Sequence, residues 1–581
     1  MNSFILHIFC LAILTLSLSS CDLSISSSID TQQSLKSSQE YKMAAIAISD
    51  NYGAEVAEQI LQRGGNAVDA AVATGFALAV TFIDAGNIGG GGFMTLKMGA
   101  EVTFLDYRET APLAAHKNMY LNSRGDVIRD ITLIGSQAAG VPGTVAGLWA
   151  AHQKYGKLPW SDLLQPAIRL SEEGFFPAAV LADSIHSMQP RFAQKTNFNQ
   201  YFNSIDKNKV FKQPELARTL KRIALHGADD FYRGQTAKLI IDEMQRSGGL
   251  ISIEDLHQYK ALWRDPIRVK WRDYEIVSAP PPSSGGFAIV QLLKMKDYLA
   301  NAFSGVHHNS AQYIHLVAEM EKRVFADRAE YLGDPDFVDV DIKRLLSDEY
   351  ISKRATEVNL TEISKVKGVN PGLESPNTTH YSIVDQWGNA VSNTYTINWD
   401  YGSGVVVSGA GFLLNNEMDD FSAKPGVANI FGVMGNKANE IQPGKRMLSS
   451  MAPTLLLKNG EIEMVLGTPG GSTIFTTIFQ TITNILDYKM TAQDAVNETR
   501  FHHQLVPADL ITYSGFTIGH HLPKETVNAL LKRGYRTKPH SFEYGDVQII
   551  VKNGSSWVAA SDARDRGVSR VFAITTKTRD H

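Results

Sequence analysis

Cysteine is almost missing from the 581 residues: the only two, Cys10 and Cys21, both fall in the first twenty-one. A body without cysteine has no internal disulfide, no thiol nucleophile and no cysteine-ligated metal. An excess of positive charge is missing as well. Lys and Arg number 56 against 60 Asp and Glu, for a net charge of −4, so there is no electrostatic footprint for nucleic acid. The 16 histidines include the pair His502-His503 but no zinc-protease motif, and no metal or cofactor is expected. No internal repeat is visible. The apolar run Phe4–Leu18 is too short for a comfortable membrane span of ~20 residues and reads as a secretory signal.

What remains is an ordinary globular balance, 44% hydrophobic and 20% charged, able to bury a large core. Length alone, at ~150 residues per domain, suggests about four domains. The signal (1–20) ends in Leu18-Ser19-Ser20-Cys21, which resembles a bacterial lipobox and makes Cys21 the expected site of lipidation. A plain secretory signal and an uncleaved anchor are the alternatives, since the segment before the apolar run lacks Lys and Arg. Residues 21–40 are Ser-rich with few large apolar side chains and read as a tether. The expected location is the periplasmic side of a bacterial membrane, held only by lipid.

The most informative stretch begins at Asn377. A Pro-punctuated loop, 371–377, turns into strand-like alternation at Thr378, breaks at Gln386-Trp387-Gly388 and resumes to Ile397. With a three-residue loop and Gly388 in the left-handed position, Asp385 faces Asn389 and Thr378 faces Thr396. Thr394, Thr396 and Asn398 share parity and are expected on one face beside Thr378. A threonine hydroxyl needs a base, and no His or Lys stands at a convincing offset. Cleavage of the Asn377-Thr378 bond would make one, an α-amine with ordinary pKa about 8.

Other segments read as follows. Helical periodicity runs from Gly53 to Val80, interrupted by Gly64-Gly65-Asn66, and its second half is nearly all apolar. The glycine run Gly89–Gly92 lacks the spacing of a dinucleotide site. The strand-like Val102–Tyr107 delivers Arg108, by itself a surface charge. Residues 140–373 read as mostly helical, with a turn at Ala279–Gly286. Lys424–Asn436 reads as a loop, Asn459-Gly460 as a hairpin turn, and Gly467–Gly471 as the opening of an apolar helix from Ser472, where backbone amides favour an anion.

Thr378–Ser382, Thr394–Asn398 and Leu414–Phe421, in that order, resemble the small subunit of the gamma-glutamyltransferase (gamma-glutamyl transpeptidase) family of N-terminal-nucleophile hydrolases. Matching motifs span roughly residues 43 to 575. The resemblance implies an α/β (α+β) four-layer αββα sandwich, formed jointly by a large subunit (41–377) and a small one (378–581) cut from one precursor. It implies attack by Thr378 on the γ-glutamyl amide of glutathione and related compounds, and passage of the acyl group to water, an amino acid or a dipeptide. Thr396 would orient the nucleophile, and the Gly470 and Gly471 amides would hold the oxyanion. Arg108, Ser449 and Ser450 would bind the α-carboxylate; Asn398, Glu417 and Asp420 the α-ammonium. Phe431 stands in the lid where some relatives carry tyrosine. The alternatives are an acylase or hydrolase with little transfer, and a catalytically silent, lipid-anchored binding protein.

Overall fold

Alternate residues of the strand Tyr41–Ile48 leave a sheet on opposite sides: Ala44, Ile46 and Ile48 join one apolar cluster, Ala45 and Ala47 another. In the computed structural model, which describes residues 41–366, 377–422, 437–514, 521–540 and 543–575, this strand belongs to a seven-stranded antiparallel sheet. Its order is Val568–Thr575, Tyr41–Ile48, Thr379–Val384, Ala390–Thr396, Gly91–Met98, Glu101–Tyr107, Leu262–Arg264. A six-stranded antiparallel sheet runs Ser556–Ser561, Gln548–Asn553, Glu461–Gly467, Thr454–Lys458, Tyr274–Ser278, Ile267–Trp271.

Three apolar clusters separate four layers. The first packs the helices Asn51–Gln62, Ala67–Thr81 and Trp160–Glu172 on one side of the seven-stranded sheet. Helix Ala67–Thr81 is buried along its whole length, as its apolar sequence requires, and starts from a capping box of Asn66 and Asp69. The second cluster, with Val384, Ala390, Leu455, Val465 and Ile550, lies between the sheets. The third packs Gly285–Tyr298, Ala311–Tyr331 and Ile474–Leu486 on the far sheet. This is the expected αββα sandwich.

The layer between the sheets is thin in apolar residues and is pinned by hydroxyls. Ser382 donates to the Gln548 carbonyl and Ser392 to that of Leu466, both at 3.0 Å, and Thr95 donates to Pro453 at 2.7 Å. Each satisfies a buried polar group across the interface.

Segments before and after Asn377 interleave in both sheets, so residues 41 to 576 form one unit, not the four that length suggests. The stretch 140–366 is mostly helical, with a correction: Leu262–Arg264, Ile267–Trp271 and Tyr274–Ser278 are strands. Buried Ile267 and Trp271 alternate with exposed Arg268 and Lys270 there, but over only five residues. A second correction lies at Gly471–Thr473, a 3-10 turn; the α-helix begins at Ile474. Among the described residues no helix is long and apolar enough to cross a membrane. The signal, the tether with Cys21, and Phe431 lie outside the described residues.

Candidate active site

The hairpin register rests on Asp385, whose Oδ1 accepts from the amides of Trp387 at 2.8 Å and Asn389 at 3.0 Å, while Gly388 takes φ +78°. Thr379 therefore faces Tyr395 and, one step on, Thr378 faces Thr396, as expected. The Thr378 hydroxyl donates to Thr396 Oγ1 at 3.4 Å. The Thr396 hydroxyl donates to the carbonyl oxygen of Asn377 at 2.9 Å and accepts from the Asn398 amide at 2.8 Å. Asn398 departs from the expected parity: φ +75° ends the strand, and its side-chain amide donates to the Asn416 carbonyl at 3.0 Å.

The ladders carry this row further. Thr396 pairs with Gly91, and Gly92 pairs with Tyr107, so Gly91 stands level with Arg108. Thr378, Thr396, Gly91 and Arg108 thus span four strands at one level, about 14 Å at ~4.8 Å per strand. Gly91 contributes no side chain, and the carboxyl of Glu109 occupies its place: a Cβ there would lie 2.6 Å from Glu109 Oε2. A Cβ on Gly90 would lie 2.0 Å from the Thr396 carbonyl oxygen. The glycine run exists because two chains close on its backbone.

Arg108 is buried, with its guanidinium among three carboxylates. Nη1 lies 2.8 Å from Glu417 Oε2 and 3.6 Å from Glu109 Oε2, and Nη2 donates to Asp420. Burial works against the arginine's charge, but Glu417, Asp420 and Glu109 outweigh it and hold the group protonated. Burial pushes the Glu109 carboxyl up to about 8 and raises that of Glu417 well above the carboxylate range, Arg108 opposing both shifts. The Glu109 and Glu417 oxygens accept no well-aligned hydrogen bond. Buried Glu109 and Glu417 thus keep carboxyl oxygens open to further N–H donors, beside the half-buried Asp420.

Two asparagines that the sequence reading quoted without roles hold this arrangement. Asn415 donates to the carbonyls of Gly89 at 2.8 Å and Gly140 at 2.9 Å and accepts from the Glu417 amide at 3.0 Å. Asn416 accepts from the Trp399 amide at 3.1 Å and donates to Leu133 at 3.0 Å. They join the glycine run to the 3-10 turn Glu417–Asp420. Glu109 was likewise not singled out; its signal is a second acid directly after Arg108.

Ser449 and Ser450 lie against the turn at Ala279–Gly286, where the Ser284 amide and hydroxyl donate to the Ser449 carbonyl at 2.7 and 2.9 Å. Arg328 Nε donates to Ser284 Oγ at 2.9 Å, and Asp420 acts on the same arginine. This brings the serines to the side of the Arg108 cluster. Gly470 and Gly471 take φ +135° and +56° in the turn after Glu461–Gly467, and neighbouring Pro469 borders one pocket with Thr378. His380 is no base: burial lowers its pKa to about 3, and its ring nitrogens lie 2.8 Å from Thr394 Oγ1 and 3.1 Å from Ser382 Oγ. Among the described residues no group of three or more His, Cys, Asp or Glu is placed to hold a metal ion.

The family model described as Gamma-glutamyltranspeptidase matches residues 53–572. The chain belongs to the gamma-glutamyltranspeptidase family. It is 55% identical over 527 residues to the glutathione hydrolase proenzyme of Pseudomonas aeruginosa, covering 91% of this chain and 94% of that one. Among solved structures it resembles the gamma-glutamyltranspeptidase of Pseudomonas nitroreducens (56% identity, TM-score 0.54), over 54% of this chain and 94% of that one. The cephalosporin acylase of Bacillus halodurans matches at 25% identity and TM-score 0.80, covering 92% and 96%. The fold is that of the N-terminal-nucleophile hydrolases, and the family's proteins are hydrolases and acyl-transferring enzymes of small substrates.

Proposed function

We propose that the protein is a glutathione hydrolase and γ-glutamyltransferase that makes its own nucleophile by cutting the Asn377-Thr378 bond. The observation that carries this reading is the chain of hydrogen bonds from Thr378 Oγ1 to Thr396 Oγ1 and from there to the Asn377 carbonyl. A hydroxyl stands beside the carbonyl of its own preceding peptide, and a second hydroxyl, backed by the Asn398 amide, is ready to stabilise the oxyanion. Attack by Thr378 Oγ1 on that carbonyl carbon forms an ester as the C–N bond breaks, and the released α-amine takes the proton. Water then frees the Asn377 carboxylate, leaving a large subunit, 41–377, and a small one, 378–581, as a heterodimer.

In the cleaved enzyme the Thr378 α-amine takes the hydroxyl proton, Oγ1 attacks the γ-amide of glutathione, and a γ-glutamyl ester forms as the amide C–N bond breaks and the leaving amine takes the proton from the α-ammonium. The Gly470 and Gly471 amides hold the oxyanion. Arg108, Ser449 and Ser450 receive the α-carboxylate; Glu417, Asp420 and Asn398 receive the α-ammonium, with Glu109 adding a third carboxyl to that end. Water, an amino acid or a dipeptide amine then takes the acyl group. Cys21, following Leu18-Ser19-Ser20, carries the lipid that holds the exported protein at the periplasmic side of the membrane.

A second reading, an acylase-type hydrolase with little transfer, has the likeness to the cephalosporin acylase in its favour. The buried acids around Arg108 favour a donor with an α-ammonium. Release of the anilide from a γ-glutamyl anilide, with and without a dipeptide acceptor, tests the proposal. It predicts release in both cases, faster with acceptor and with a γ-glutamyl peptide as product. No release overturns it, and release that the acceptor leaves unchanged supports the acylase reading.

A further inference from the structure

No step of the reaction uses the pair His502-His503, yet both residues are buried and both rings are hydrogen-bonded at each nitrogen. The pair ends the short strand Phe501–His502 beside helix Ala311–Tyr331, where Glu321 Oε2 accepts from the His503 amide at 2.8 Å. Burial lowers the pKa of His502 to about 4 and that of His503 to about 3, so each neutral ring has one donor and one acceptor. The His503 ring closes the loop that follows it. Its Nδ1 accepts from the Leu505 amide at 3.0 Å and its Nε2 donates to the Ala508 carbonyl at 3.0 Å. Gln504 is held inside that closure.

Gln504 Oε1 accepts twice, from the Ser472 hydroxyl at 2.8 Å and from His502 Nε2 at 2.9 Å, while His502 Nδ1 lies 3.1 Å from Thr476 Oγ1 in the first turn of helix Ile474–Leu486. Ser472 is 3% exposed and directly follows Gly470 and Gly471. Those two residues offer no side chain by which the rest of the protein could grip their peptide planes. The Thr473 amide and hydroxyl both donate to the Gly470 carbonyl, at 3.1 and 2.8 Å, which closes the turn on itself but does not orient it. Thr468 Oγ1 ties the near side of the turn by accepting from the Asp546 amide at 2.9 Å, and Ser472 ties the far side to Gln504.

We propose that Gln504, fixed by His502 and His503, is a positioning residue of the reaction, and that through Ser472 it aims the Gly470 and Gly471 amides at the oxyanion. The inference rests on the oxyanion role given to those amides above. Donors aimed at a charge that appears only in the transition state act on kcat rather than on KM. Self-cleavage draws on a different set, the Thr396 hydroxyl and the Asn398 amide, and does not need Gln504.

Wild type, Ser472→Ala, Gln504→Met and the double variant are compared on a γ-glutamyl anilide. Each single variant should lower kcat about ten- to hundredfold and leave KM within about twofold. The double variant should fall no further than the weaker single, because both remove one bond. A glutamate analogue with a boronic acid in place of the γ-carboxyl, which forms a tetrahedral adduct at Thr378, should lose affinity by the same factor as kcat/KM. All the variants should still cut themselves. An unchanged kcat, a loss carried by KM, losses that multiply in the double variant, or a precursor left uncut overturns the proposal, the last because the pair would then support the whole fold. Amide hydrogen exchange across residues 467–475 should be faster in both single variants while that of the hairpin 379–396 stays as in the wild type, and equal exchange at 467–475 also overturns it. If the wild type releases no anilide, the γ-glutamyl reading fails while the exchange still decides whether Gln504 holds the turn.

Discussion

Replacing Arg108 by alanine removes the one cation within ion-pair distance of Glu109, Glu417 and Asp420 among the described residues, and leaves only Arg328 acting on Asp420 from further away. In the proposed reaction the substrate α-carboxylate loses its partner at the same time. Removing one member of a buried, hydrogen-bonded charge pair costs about 2 to 5 kcal/mol. At roughly 1.4 kcal/mol per tenfold, kcat/KM for a γ-glutamyl anilide should fall by about 30-fold to several thousandfold. Arg108→Lys should recover only part, since a single ammonium cannot span Glu417 and Asp420 as the fork does. The assay pairs the natural donor with one whose α-carboxylate is an amide, both measured well below the variant's Tm. The amide should be a poor donor for the wild type and lose little more in Arg108→Ala. Equal losses on both donors would show that Arg108 only holds the acids in place, and would refute the carboxylate assignment.

Burial raises the Glu109 pKa from 4.5 to about 8. Between those values the folded protein keeps a proton that the unfolded chain has released, so stability falls as pH rises from 4.5 to about 8. Glu109→Gln should flatten Tm against pH across that window, and an unchanged slope contradicts the assignment. Gly90→Ala puts a Cβ 2.0 Å from the Thr396 carbonyl oxygen, against backbone that cannot swing aside. It should cost about 1–3 kcal/mol and leave precursor uncut; complete cleavage at the wild-type rate would show that the hairpin tolerates the shift. Cys21→Ala should move the protein from the membrane to the soluble fraction, and an unchanged distribution, or a wild-type mature chain that begins elsewhere, counts against lipidation.

The nucleophile hairpin was legible because its information is local. The loop at Gln386-Trp387-Gly388 sets a register, and parity carries it unambiguously to Thr378 and Thr396. Parity failed at Asn398, where a positive φ ends the strand, a conformation that asparagine permits but does not announce. The buried helix Ala67–Thr81 was readable from its apolar composition, whereas Ile267–Trp271 was lost among helices despite its alternation, because a five-residue strand carries too little signal. The contact of Arg108 with Glu417 and Asp420 joins residues more than three hundred positions apart. Only the resemblance placed them in one site, and it assigned them to opposite ends of the substrate.

The central claim is that Thr378 cuts its own chain, and the masses and N-terminal sequences of purified wild type and Thr378→Ala, incubated without added protease, test it most directly. The wild type should resolve into two fragments, one of them starting at Thr378, and Thr378→Ala should remain a single chain. A Thr378→Ala protein that is still cut between residues 377 and 378, or a wild type that stays whole while releasing the anilide, would contradict the account.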